Sequence, residues 1–348
     1  MILEKNVHTE SLMPPNTWDE AHLHFHAVLQ SKWYNSVFQM ITQITSLSFE
    51  FFKQKQLAPV LMPVTCQSVS SPMGLGSDSS PVSIHLFDEK VYLADSMQFQ
   101  LEYLLRLYNK GTWYIMPTFR GEDHDYRHLN QFFHIESEIL GTFTDVMTLV
   151  EDYIFSLLMG LISDETTAKC IQDKSGSLDH IYQCISVRCR FPRITVEEAM
   201  NLLGNRECYF FPVANGAYAL THLAEKKLLE HFKSPCWVTH HYESAVPFYQ
   251  KTSIDQRFAE CGDLLMGIGE CVGCGQRHTE AADVYEALLR HNIDPKEYDW
   301  YIQMKTHYPL QTSGFGMGLE RFLAFIFKHD DIRDFQLMPR LKGILSIP

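Results

Sequence analysis

Two groupings in this 348-residue chain carry residue types suited to phosphate chemistry. The first is Phe119-Arg120-Gly121-Glu122-Asp123-His124-Asp125-Tyr126-Arg127-His128, a dense polar loop between two apolar stretches. A guanidinium fork grips a phosphate through two parallel hydrogen bonds, and a carboxylate accepts from an exocyclic amine. Arg120 and Glu122 therefore suit a nucleotide, although a solvated charged turn has the same composition. In the second grouping, Gly314, Gly316 and Gly318 alternate ahead of Glu320-Arg321. Glycine at every second strand position bares one face, on which a flat ring can lie, and Arg321 then projects where a phosphate would sit. A glycine-kinked strand feeding a core helix reads the same way. The run lacks the Lys-Ser/Thr ending of a P-loop and the trailing acid of a dinucleotide fingerprint. Cys271 and Cys274 have CxxC spacing without a second pair or a flanking histidine, so neither zinc nor redox use is expected.

Rigid elements must hold these groups. Alternation predicts strands on either side of the polar loop, at 113–119 and 132–140. The second puts Phe132, His134, Glu136 and Glu138 on one face and Phe133, Ile135 and Ser137 on the other. Trp33, Val37, Ile41, Ile44, Leu47 and Phe51 recur at helical spacing and predict a helix over 31–54. The short apolar strand 57–64 follows and ends near Pro63, which suits an edge or an interface. Helix and strand together can form an isologous dimer contact, and an ordinary core helix fits equally well. Residues 65–83 are rich in Ser, Gly and Pro, too long for a connector, and read as a lid. Downstream, a strand is expected at 85–93 and helices at 99–109 and 148–162. A capping box of Thr195 with Glu198 opens a helix at 196–203. A helix at 219–232, a strand at 236–241, two strand-like pieces within 260–275 and a Thr279-capped helix to 290 complete the reading. No internal repeat is present.

The bulk numbers narrow the class. Hydrophobic residues make up 45% and charged residues 20%, the balance of an ordinary globular protein. A net charge of -13 gives no general attraction for nucleic acid or for an anionic membrane. Nine cysteines, an odd number in apolar contexts, fit reduced thiols in the cytoplasm. The N-terminus carries Glu4, Lys5 and His8 and lacks the apolar core of a signal peptide, and no run reads as a membrane span.

The arginine hairpin and the glycine strand leading into Arg321 resemble motifs two and three of class II aminoacyl-tRNA synthetases, and helix 31–54 with Pro63 resembles motif one. The likeness is strongest to the aspartyl/asparaginyl branch and covers most of residues 31–340. Phe191-Pro192-Arg193-Ile194-Thr195, Gly267-Ile268-Gly269-Glu270 with Gly275-Gln276-Arg277, and Ser313 to Arg321 support it. The resemblance implies an α+β fold, an antiparallel sheet flanked by helices, with residues 1–30 as an N-terminal arm and 31–348 as the catalytic domain. It implies ATP and Mg2+ as cofactors. Arg120 would grip the α-phosphate and the acid carboxylate, Glu122 would accept the adenine amine, and Phe132 would stack on adenine. His128 would lie near the outer phosphates, and Arg321 on the γ-phosphate beside Gly318. Glu270, with Asp263, would hold magnesium. Gln98, Ser96, Glu102 and Arg277 would bind the amino acid.

Departures from the family pattern shift the expected activity. Only about thirty residues precede the core, short of the roughly hundred that an anticodon-reading domain needs. The Glu-Asp-His-Asp run in the loop is poor surface for tRNA phosphates. Gln131, Asp95 and Thr312 stand where the family has Glu, Gln and His. This layout is similar to asparagine synthetases related to asparaginyl-tRNA synthetase. It predicts a cytoplasmic homodimer that adenylates aspartate and forms an amide with ammonia, with no tRNA partner. The alternative is a truncated asparaginyl-tRNA synthetase paralogue that passes an activated amino acid to tRNA, a carrier protein or a biosynthetic intermediate.

Overall fold

Eight strands form the sheet that carries both groupings: β1 (Ala58–Pro59), β2 (Thr112–Phe119), β3 (Gln131–Leu140), β4 (Arg193–Thr195), β5 (Cys236–Thr239), β6 (Cys261–Met266), β7 (Gly269–Gln276) and β8 (Thr312–Gly318). The structure is a computed structural model describing residues 11–71, 79–204, 207–345 and 347–348. Strand order is β1-β2-β3-β8-β7-β6-β5-β4. Every central pairing is antiparallel, and the two outermost, β1 with β2 and β5 with β4, are parallel. The fold is α+β, an antiparallel-rich sheet flanked by helices. The hairpin β2–β3 runs in unbroken register from Thr112↔Glu138 to Phe119↔Gln131, so the polar loop is the hairpin's connection. β8 then pairs with β3, with Gly318 opposite His134, Gly316 opposite Glu136 and Gly314 opposite Glu138. That register brings the two groupings side by side.

Two long helices back the sheet. Lys32–Gln54 buries Trp33, Val37, Ile44, Phe51 and Phe52, the spacing read from the sequence. Phe143–Ser163 buries Val146, Val150, Ile154, Leu157 and Leu161 against it. Burying such side chains stabilises by about 1.5–3 kcal/mol each. This second helix is long and apolar enough to cross a membrane by length and composition, where the sequence was read as having no such run; here it is a core helix. It starts at Phe143 because Thr142 and Asp145 form a reciprocal capping box, five residues ahead of the expected start. The expected arm contains the helix Ala21–Gln30, with Ala27 in the core and His24 Nε2 at 2.8 Å from the Gln336 carbonyl.

Several expected elements differ. The strand read over 85–93 is a hairpin, Val82–Leu86 with Glu89–Leu93, turning on Phe87 and Asp88 at φ 52° and 67°. The helix read from 219 begins at His222, after a short strand Tyr218–Leu220, because the Thr221 hydroxyl accepts from the Ala224 amide and caps it. The helix Gln98–Leu104 is shorter than read, and Ala281–Arg290 has no side-chain cap from Thr279. The Thr195–Glu198 capping box is present. Of the expected lid, residues 72–78 lie outside the described residues. At its near end, Asp95 accepts from the Ser70 and Ser71 amides at 2.9 and 2.7 Å.

Candidate active site

A cavity of about 830 Å³ opens over the faces of β3, β8 and β7. Arg120, His128, Phe132, Gly318 and Arg321 line it at one end, Asp263 and Glu270 along one side, and Ser96, Gln98 and Arg277 at the other end. The arginine-bearing hairpin and the glycine strand thus serve one site. Arg120 follows directly on β2 and lies with Cζ 5.6 Å from the centre of the Phe132 ring. Arg321, in the first turn of helix Leu319–Phe327, donates to the Glu270 carbonyl at 2.7 Å and to the Arg127 carbonyl at 3.3 Å. Two anchored guanidiniums of this kind are ready-made receptors for a polyphosphate.

The polar loop is braced from within. The Asp125 carboxylate accepts from the amides of Arg127 and His128 and approaches His128 Nδ1, at 2.7, 2.8 and 2.9 Å. Burial, then the neighbouring Arg321, lowers the His128 pKa, which leaves a neutral ring beside the phosphate arginines. Arg127, which the sequence reading gave no role, lines the cavity and pairs with Glu225 at 2.5 Å.

Glu270 and Asp263 both reach the bare position at Gly273. A Cβ there would lie 3.0 Å from Glu270 Oε1 and 3.7 Å from Asp263 Oδ1. Two hard carboxylate oxygens beside phosphate-binding arginines fit magnesium, which is commonly bound by one or two carboxylates plus substrate phosphates. His241 stands 3.1 Å from Asp263. Burial opposes its charge, but Asp263 and then Glu270 outweigh that and raise its pKa.

At the far end, Arg277 is buried and already engaged. Its Nε and Nη2 donate to the two oxygens of Glu138 at 2.9 and 3.0 Å, and Nη1 donates to Gln250 at 3.0 Å. Burial works against the Arg277 charge, but Glu138 outweighs it. Gln98 is nearly buried, and its Nε2 finds no partner among the described residues. Ser96 gives its hydroxyl to Glu136 at 2.7 Å.

Two expected site residues stand off the cavity wall. Glu102 is wholly buried and bound by Lys305, Tyr301 and Thr312, so its carboxylate is consumed in the core. Glu122 accepts from the Ser80 amide at 3.1 Å through one oxygen, and its other oxygen is buried with no partner. The sequence reading assigned nothing to His134, Glu136 or Glu138, although the alternation with Phe132 had placed all three on its face. The glycine strand also differs from the expected bare bed. A Cβ at Gly314 would lie 1.7 Å from a Glu138 oxygen, and one at Gly316 would lie 3.2 Å from Glu136. Neighbouring acids fill the space that the glycines leave.

Residues 21–342 match the family model for class II tRNA synthetases (D, K and N). The chain belongs to that family. It is an ATP-dependent, AMP-forming ligase. It is similar to the asparagine–tRNA ligase of Mycoplasma genitalium, 26% identical over 361 residues that cover 99% of this chain and 76% of that protein. The asparagine–tRNA ligase of Pyrococcus furiosus is 30% identical over 259 residues, 73% of this chain and 57% of that protein. Among solved structures, asparaginyl-tRNA synthetase from Pyrococcus horikoshii complexed with asparaginyl-adenylate superposes with a TM-score of 0.84 at 25% identity, covering 95% of this chain and 73% of that one.

These relatives overturn the expectation of no tRNA partner, since they are named as tRNA ligases. The expectation rested on the short segment ahead of the core and on the acidic loop, and the structure shows why the loop was a poor guide. Glu122 faces the Ser80 amide, Asp125 braces its own loop, and Asp123 pairs with Lys342 at 2.8 Å. Each of these acids has a partner, so the run does not present a bare anionic face.

Proposed function

We propose that this chain activates asparagine with ATP and Mg2+ as asparaginyl-adenylate and transfers the acyl group to tRNA. The observation that carries the reading is the charge layout of the cavity. Arg120, Arg321 and the Glu270–Asp263 pair crowd the phosphate end, where attack of a carboxylate on the α-phosphate brings two anions together. At the other end Arg277 is neutralised by Glu138, and its third nitrogen donates to Gln250. A neutral amide suits such a pocket better than a second carboxylate, which would meet Glu138. The orphan Nε2 of Gln98 suits a substrate oxygen. Holding both reactants on one sheet supplies the positioning part of the rate. The relatives' names point to the same substrate and acceptor. Exposed Phe38 and Phe49 on helix Lys32–Gln54, with Leu61 after it, support a homodimer.

The test is amino-acid-dependent pyrophosphate exchange followed by tRNA charging. Asparagine should support both, and aspartate neither. Arg321→Ala should lower exchange at least ~10²-fold, about 3 kcal/mol, by analogy with removing one oxyanion donor. Net asparagine from aspartate, ATP and ammonium, without tRNA charging, would refute this reading and return the amide-forming one.

A further inference from the structure

We propose that His134 is the proton acceptor of the acyl-transfer step, held in place by Glu136; this rests on the activating and transferring reading above. β3 measures out the substrate. Residues on one face of a strand recur about every 6.6–6.8 Å. Phe132 marks the nucleotide end, under Arg120, and Glu138 marks the amino-acid end through its fork to Arg277. His134 and Glu136 lie between them on the cavity wall, where the acyl carbon must meet the α-phosphate. Opposite His134 in the next strand is Gly318, which has no side chain to cover the ring.

The ring is fixed on two sides. It stands edge-on to Phe132 with centroids 4.7 Å apart, and Nδ1 lies at ion-pair distance, 2.8 Å, from Glu136 Oε1, off the line of a hydrogen bond that a small ring rotation would complete. Glu136 is itself held by the Ser96 and Tyr114 hydroxyls. Burial pushes the Glu136 carboxyl up, but His134, Tyr114 and Ser96 together bring it below its ordinary range, so it stays an anion. With Nδ1 on the side of Glu136, Nε2 is the nitrogen assigned to accept the proton, and no hydrogen bond from a described residue reaches it. Nucleophile activation by a base that a carboxylate orients has this layout. Charged groups that line the same cavity include Arg120, Arg127 and His128 from the β2–β3 hairpin, Arg321 and Glu320 from the helix after β8, Asp263 and Glu270 from β6 and β7, and Glu225, His241 and Arg277 beyond them. Glu320 is turned to the Phe133 amide and Gln336. Glu136 offsets Arg120 and Arg321 when the ring takes a proton.

In the step, the acceptor hydroxyl oxygen bonds to the acyl carbon, and the carbon–oxygen bond to phosphate breaks with its electron pair leaving on AMP. The hydroxyl proton passes to His134 Nε2 and from there to solvent. Adenylation starts from a carboxylate and needs no base, so the two half-reactions should separate.

The test preforms the adenylate on wild type, His134→Gln and His134→Ala, and chases it with tRNA in single turnover from about pH 5.5 to 8.5. Pyrophosphate exchange is measured alongside, and the burst of pyrophosphate released as the adenylate forms counts active sites. Transfer should slow by roughly 10²-fold in His134→Gln, and at least tenfold more than exchange slows. Wild-type transfer should rise with pH through one ionisation that both variants lack. Equal losses in the two half-reactions, or a wild-type pH profile in His134→Gln, would overturn the proposal. If wild type makes adenylate but charges no tRNA, the acceptor reading fails, and hydroxylamine replaces tRNA in the chase. Faster hydroxamate formation in wild type than in His134→Gln then supports His134, and equal rates overturn it.

Discussion

Replacing Glu320 by glutamine should stabilise the chain, increasingly so as pH rises through neutrality. Glu320 is 4% exposed, and among the described residues no cation pairs with it. Its partners are the Phe133 amide at 3.2 Å and the Gln336 side-chain amide at 2.7 Å. Burial outweighs these and pushes its pKa from the ordinary 4.5 up to about 7. The folded state therefore holds this proton more tightly than the unfolded state. The stability that follows is fully present below about pH 4.5 and is lost as pH rises through about 7. At 1.36 kcal/mol per pH unit the full span is about 3 kcal/mol, an upper figure because buried carboxyls relax. Glutamine cannot ionise and avoids the loss. Urea unfolding of both proteins at pH 5 and pH 8 measures the difference; other titrating groups are common to both and cancel. The variant's advantage should grow by up to about 3 kcal/mol between the two conditions. An advantage that does not change with pH would refute the argument.

Other outcomes follow from the buried charges and the glycine strand. Lys305→Met should cost about 3 kcal/mol by leaving the buried Glu102 carboxylate with only the more distant Arg106, at 3.6 Å, as a cation, and adding Glu102→Gln should recover part of it; urea unfolding reads both. If Glu102 instead touched the amino acid, Glu102→Gln would raise its KM in pyrophosphate exchange. Gly314→Ala should displace Glu138 from Arg277, with an asparagine KM raised at least tenfold and the KM for ATP changed far less.

The sequence was most informative where a repeat of two or of 3.6 had to bury one face. Strands β2 and β3, the helix holding Trp33 and Val37, and the convergence of Arg120 with Arg321 were all readable in this way. It was least informative where partners come from far along the chain. Glu102 looks available in the string, but Lys305, about two hundred residues on, claims it. The acids of the polar loop look repulsive until Ser80 and Lys342 are placed beside two of them. The turn at Phe87–Asp88 needs positive φ at Asp88, which tolerates it, and at Phe87, which rarely adopts it, so composition hid the hairpin. His134 and Glu136 were visible as neighbours on one face, but which way that face pointed depended on pairing with β8.

The glycines of β8 have a consequence for how this pocket can be retooled. A strand face of glycines writes no preference of its own; at Gly314 and Gly316 it leaves blank squares that adjoining acids tile. Discrimination is therefore spelled by positions 134, 136 and 138 one strand away, where an exchange alters the floor without disturbing the backbone beneath it. Libraries confined to those three positions, with Gly314, Gly316 and Gly318 untouched, should shift amino-acid preference while ATP binding persists.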